Sequence, residues 1–121
     1  VEAIGRVAQS DVWRWYQSFE LCWMPYDIQH PFNIACCPTK IFDALGTGRP
    51  FVSTAVPECL LYPEQIRLIT SAADAPDVFA RALADWTPEQ ATQQLAFAKA
   101  NDWHTRAQWL LEQLENASEC R

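Results

Sequence analysis

Apolar residues along this chain fall into two kinds of run. Some are short, continuous and bounded by Pro or Gly; others recur every three or four positions. The first kind predicts four strands. Ile4-Gly5-Arg6-Val7 reads as the end of one, and Leu21-Cys22-Trp23-Met24, stopped by Pro25, suits a strand buried on both faces of a parallel sheet. Phe51-Val52-Ser53-Thr54 is aromatic and β-branched, as strands prefer, and Ile66-Arg67-Leu68-Ile69 is the last.

The second kind predicts helices. Ser10 is placed to cap a helix through Asp11 to Phe19 that buries Val12, Trp15, Tyr16 and Phe19 on one face. Pro38 suits the first turn of a helix reaching Leu45, which packs Ile41, Phe42, Ala44 and Leu45 and is ended by Gly46 or Gly48. Pro57 starts a short helical turn closing near Tyr62-Pro63. From Asp74 onward Val78, Phe79, Ala82, Leu83 and Trp86 form one stripe, and Thr87-Pro88-Glu89 supplies a cap followed by Pro at the first helical position. Two helices follow, Gln90 to Ala100 and Trp103 to Leu114. Asn101-Asp102 caps the second, and its amphipathic pattern packs Trp103 and Trp109 into the core. The stretch from Asp27 to Pro38 has no period and reads as a long loop.

Strands alternating with helices imply right-handed βαβ units. The expected architecture is α/β, a Rossmann-like parallel sheet of about four strands flanked by helices, with a helical carboxy-terminal extension. With half of its 121 residues apolar, the chain is expected to form one domain over residues 1–121. Val1 falls inside what reads as a strand, so a natural protein that begins earlier is expected.

Charge narrows the partners. A formal net charge of −6 provides no basic surface for phosphate backbones, so nucleic acid is not an expected partner. No apolar run approaches the roughly 20 residues that cross a bilayer, and Val1-Glu2-Ala3-Ile4 lacks a basic leader pattern; a soluble, cytoplasmic product is expected. Cys22, Cys36, Cys37, Cys59 and Cys120 include no C-x-x-C spacing and read as reduced, mostly packing thiols. Cys36 and Cys37 do not readily bridge each other, because adjacent Cα atoms lie about 3.8 Å apart and disulfides want about 4.4 to 6.8 Å. His30 and His104 form no i, i+4 pair, so no metal and no cofactor is expected; His30 is free to line the loop after Met24.

In open parallel sheets, ligands bind beyond the carboxyl ends of the strands, near helix starts that present free N–H groups to anions. Two segments have that address, the loop from Pro25 to Asn33 and the helix start Pro38-Thr39-Lys40. A lysine in a first turn runs against the helix dipole, unless it shares a phosphate with the backbone donors. Asp43 lies one turn on, where a local ion pair with Lys40 and a contact to ribose hydroxyls both explain it.

The segment Pro38-Thr39-Lys40-Ile41-Phe42-Asp43-Ala44-Leu45-Gly46-Thr47-Gly48-Arg49-Pro50-Phe51-Val52-Ser53-Thr54 resembles the P-x-K-x-F/Y-E/D-Y/A-L-A/G-x-G-R/K-P-V/F-V-S/A-T signature of GT-B glycosyltransferases of the glycosyl transferases group 1 superfamily. Flanking segments extend the likeness over nearly the whole chain. Gly5-Arg6-Val7 resembles the family's G-x-V, Cys22-Trp23-Met24-Pro25-Tyr26 its strand and turn, Val56-Pro57-Glu58 its P-E, and Asn101-Asp102-Trp103 through Arg106 its N-x-W-x-x-R helix start. The resemblance implies the carboxy-terminal portion of a nucleotide-sugar-binding domain, which serves the transfer of a glycosyl unit to a hydroxyl acceptor. Its partners are a nucleotide-sugar and either a missing amino-terminal domain or further copies of itself.

On that resemblance Lys40 meets the donor diphosphate, helped by Thr39 and helix-terminus amides, and Asp43 holds the nucleotide ribose. Pro38, Cys37 and Tyr26 complete the implied donor site, and no catalytic residue is assigned. Ala35 stands where many relatives carry a Glu near the donor sugar, which leaves the sugar contact and the stereochemical outcome open. Alone, such a piece is expected to bind a nucleotide weakly without turning over. The rival reading is a non-catalytic nucleotide-binding or protein-interaction module of the same fold. A response-regulator-like domain has only Asp27 to offer as phosphoacceptor, and a cysteine enzyme using Cys36 or Cys37 has no His set beside it by a local motif.

Overall fold

The computed structural model describes residues 2–119. Its framework is a three-stranded parallel sheet in the order β1-β2-β3, with β1 at Cys22–Met24, β2 at Phe51–Thr54 and β3 at Arg67–Ile69. Cys22 pairs with Phe51 and Met24 with Ser53 on one side of β2; Ser53 pairs with Leu68 and Thr54 with Ile69 on the other. Around it lie α1 (Gln9–Ser18), α2 (Pro31–Ala35), α3 (Lys40–Leu45), α4 (Ala75–Ala84), α5 (Pro88–Ala100) and α6 (Trp103–Glu119), with short 3-10 turns at Pro57–Leu61 and Ala72–Asp74.

Strand alternation divides the core between two faces. Cys22, Met24 and Phe51 point to one face, where Ile41, Ala44 and Leu45 of α3 meet them with Val56, Cys59 and Ile66. Val52 and Ile69 point to the other and are covered by Ala82, Val78 and Phe79 of α4. Helices on both faces make this a doubly wound layer, with α5 and α6 as the helical carboxy-terminal part. The central strand β2 is buried on both faces, whereas the sequence places that expectation on β1. The edge strand β1 is not: Trp23 is 39% exposed and rests edge-to-face on Phe79, ring centroids 5.1 Å apart.

The fourth expected strand does not form. Residues 4–7 form no strand and pair with none among the described residues, and Gly5 turns the backbone at φ of +71°, outside the extended region; Val1, part of the same expectation, lies outside the described residues. The helix after it begins two residues early, at Gln9. Asp11 N donates to the Ala8 carbonyl at 2.9 Å, so Ser10 sits inside α1 and caps nothing. Its stripe is covered only in part: Val12 and Tyr16 are half-buried, while Trp15 and Phe19 stay exposed and stack on each other, 6.5 Å between centroids.

The loop from Asp27 to Pro38 contains α2, a helix too short to show a period. His30 Nδ1 accepts from Phe32 N at 3.2 Å and Pro31 opens the first turn, so His30 is a helix cap. The capping box at Thr87 forms as its sequence implies, with Thr87 Oγ1 accepting from Gln90 N at 3.2 Å and Gln90 Oε1 from Thr87 N at 2.9 Å. Asp102 caps α6, its Oδ1 accepting from Thr105 N at 2.7 Å. The core expectation for Trp103 and Trp109 fails: they are 79% and 60% exposed, and every residue of α6 from Trp103 to Ser118 is exposed.

Candidate functional site

Six residues of α3 supply two surfaces. Ile41, Ala44 and Leu45 face the sheet and are buried, which turns Phe42, Asp43 and Gly46 outward along the opposite flank. The end of α5 and the start of α6 stand across from that flank. Between them opens a cavity of about 680 Å³ lined by Cys37, Thr39, Asp43, Asn101, Trp103 and Arg106 among others, with Leu95, Ala98 and Phe42 as its apolar part. A second cavity, about 440 Å³, lies by the start of β3, where Arg67 is already paired to Asp85 at 3.4 Å.

Arg106 organises the larger cavity. Its guanidinium carbon lies 4.7 Å from the centre of the Phe42 ring, and one of its nitrogens donates to Asn101 Oδ1 at 3.3 Å. Beneath it three rings meet edge to face, Phe42 on Tyr62 at 5.8 Å and Tyr62 on Phe97 at 5.7 Å. Tyr62 donates its hydroxyl proton to Glu58 Oε1 at 3.0 Å. Burial and that carboxylate raise the phenol above its ordinary value, against the pull of Arg106. The Cys37 thiol is likewise raised, by desolvation first and then by Glu58, so it stays protonated at neutral pH. Asp102 is held below the usual carboxylate range by the hydrogen bonds from Thr105.

The structure brings together three of the six residues singled out in the sequence, Cys37, Thr39 and Asp43, and separates the others. Lys40 is exposed and does not line the cavity, and no ion pair forms between it and Asp43 among the described residues. Pro38 is buried, and its carbonyl accepts from Ile41 N at 3.1 Å to start α3. Tyr26 packs on the core at the carboxyl end of β1, where its carbonyl accepts from Thr54 Oγ1 at 2.7 Å. The anion-binding helix start is also curtailed. α3 is only six residues long, and the amides of Ile41 and Phe42 already donate to the carbonyls of Pro38 and Thr39.

Sequence spacing did not disclose that Arg106, Asn101, Asp102, Lys99 and Trp103 share a cavity with α3. The only signal was the resemblance of Asn101 through Arg106 to a helix-start motif. Two cations, Arg106 and Lys99, and two carboxylates, Asp43 and Asp102, thus surround one partly apolar space. Such a mixture suits a ligand that carries an anionic part, hydroxyl groups and a flat ring. Among the described residues no group of three or more His, Cys, Asp or Glu is placed to hold a metal ion, and no helix is long and apolar enough to cross a membrane. The four cysteines described are free thiols, and Cys120 lies outside the described residues. No family model matches the chain, and no curated protein or solved structure matches it either.

Proposed function

We propose that this chain is the nucleotide-sugar-binding part of a GT-B glycosyltransferase, serving transfer of a glycosyl unit to a hydroxyl acceptor, and that the donor lies in the cavity between α3, α5 and α6. The observation that supports this most is the company Asp43 keeps: it shares the cavity with Thr39, Cys37, Arg106 and Trp103. Asp43 accepts from the ribose hydroxyls, and Arg106, held over Phe42, offers a guanidinium fork to the diphosphate. Trp103 offers an exposed indole face for the base. This reading moves the main diphosphate contact from Lys40 to Arg106, because Arg106 is the one that lines the cavity.

Calorimetric titration of the chain with UDP, GDP, ADP and TDP tests the reading. A saturable heat for one of them is expected, weakened about tenfold or more in Arg106→Ala and little changed in Lys40→Ala. Absence of heat for all four, from a chain shown to be folded by circular dichroism, sinks it. The rival reading, a protein-interaction module, is favoured by one observation, the uncovered apolar side of α6.

A further inference from the structure

Arg106 is an exposed side chain on an exposed helix, yet the proposed function needs its guanidinium in one place. Two contacts restrain it, the Phe42 ring at 4.7 Å and Asn101 Oδ1 at 3.3 Å. A ring face sets the height of a cation without setting its rotation, and one hydrogen bond leaves a long side chain much rotamer freedom. Tyr62 supplies what those two contacts lack. Its ring meets Phe42 edge to face with centroids 5.8 Å apart, and Phe97 of α5 meets it in the same way at 5.7 Å, so packing on two helices fixes where its hydroxyl lies.

That hydroxyl is already committed as a donor. It gives its one proton to Glu58 Oε1 at 3.0 Å, four residues back on the 3-10 turn, which leaves the oxygen lone pairs to accept. Arg106 is the cation beside that oxygen. It draws the phenol pKa down by hydrogen bonding and by charge, although burial and Glu58 outweigh it.

We propose that Tyr62 is a positioning residue for Arg106: its oxygen accepts from the guanidinium, stops its rotation over Phe42, and so aims the remaining N–H groups into the cavity between α3, α5 and α6. A guanidinium has five N–H groups, so bonds to Asn101 and Tyr62 still leave a fork for an anion. Tyr62 does not line the cavity and acts only through Arg106. That the anion is a nucleotide diphosphate rests on the proposed function; the aim of Arg106 does not.

Tyr62→Phe removes the oxygen and keeps the ring between Phe42 and Phe97. In the chain without ligand, the Arg106 Nε–Hε signal in heteronuclear NMR spectra, assigned by its loss in Arg106→Ala, is expected to be displaced by the Phe42 ring current. In Tyr62→Phe it moves toward the position of a free arginine, while the contacts between the rings at positions 62 and 97 persist. An Arg106 signal that Tyr62→Phe leaves unmoved overturns the inference, whether or not any nucleotide binds. With ligand, calorimetry uses inorganic pyrophosphate and UDP, GDP, ADP and TDP. Affinity for the anions that bind is expected to fall about fivefold in Tyr62→Phe, the worth of one hydrogen bond. Adding Tyr62→Phe to Arg106→Ala brings no further loss. An equal loss in both backgrounds overturns the inference, because Tyr62 would then act independently of Arg106. No heat from any of these anions sinks the nucleotide-sugar reading and leaves the NMR comparison to decide this one.

Discussion

Gln94 Nε2 donates to the carbonyl of Arg49 at 2.6 Å and reaches that of Leu45 at 3.4 Å, so one buried amide ties α5 to the end of α3 and the turn after it. The Leu45 carbonyl also accepts from Gly48 N at 3.2 Å, so the shorter bond to Arg49 is the one that fastens the turn. Gln94 Oε1 is buried without a partner in the protein. Replacing Gln94 with Met leaves the Arg49 carbonyl short of a donor, while that of Leu45 keeps Gly48 N at 3.2 Å, and is expected to cost about 1–3 kcal/mol of unfolding free energy. Gln94→Glu costs more, because a carboxylate would face two carbonyl oxygens. Urea denaturation of the three proteins gives the order directly.

Gly48, with φ of +66°, turns the chain between α3 and β2. A Cβ there would lie 3.1 Å from Leu95 Cγ and 3.2 Å from its Cδ1. Gly48→Ala therefore combines a left-handed backbone penalty with a clash, and a loss of about 1–3 kcal/mol is expected. If the melting temperature is unchanged, the turn is not as described.

The exposed Cys37 should be a slow thiol. Burial and Glu58 raise its pKa, and Arg106 lowers it. At pH 8 its alkylation by iodoacetamide, followed by mass spectrometry, is expected to lag a free cysteine. Glu58→Gln should quicken the reaction and Arg106→Ala should slow it further. The opposite order for the two variants would remove Glu58 and Arg106 from its surroundings.

Asp102 links the start of α6 to pH. Its folded pKa is depressed by Thr105, so the stability it lends is present above the unfolded carboxylate value and is lost as pH falls through the folded one. Helicity reported by circular dichroism should drop in that acidic window. Asp102→Asn keeps a capping oxygen that does not titrate and should remove this component of the drop. Retention of the full acid transition in the variant would place its origin elsewhere.

How much of this was legible in the sequence depended on whether the deciding partner was local. Thr87 and Gln90 cap each other within one turn, and their spacing alone announced it. The strands centred on Val52 and Leu68 were equally plain, since their apolar runs are bounded by Pro, Gly or polar residues. Arg106 was not legible as part of a site, because Phe42 lies far away in the chain and meets it only through the folded layers. Periodicity on α6 disclosed an apolar side without saying what stands opposite, and burial was the wrong inference for Trp103 and Trp109. Residues 4–7 had the composition of a strand and no described strand beside them.

The order β1-β2-β3 has a consequence for synthesis. Each strand lies beside the one made just before it, so the sheet can grow in register as the polypeptide leaves the ribosome, without waiting for a distant segment to be threaded between finished strands. The clasp made by Gln94 must await the later part of the chain, as must the contacts of Phe97 with Tyr62 and of Arg106 with Phe42. A nascent chain that has emerged through β3 and α4 already holds all three strands and both sheet-facing helices, α3 and α4, so α5 closes over a layer already assembled.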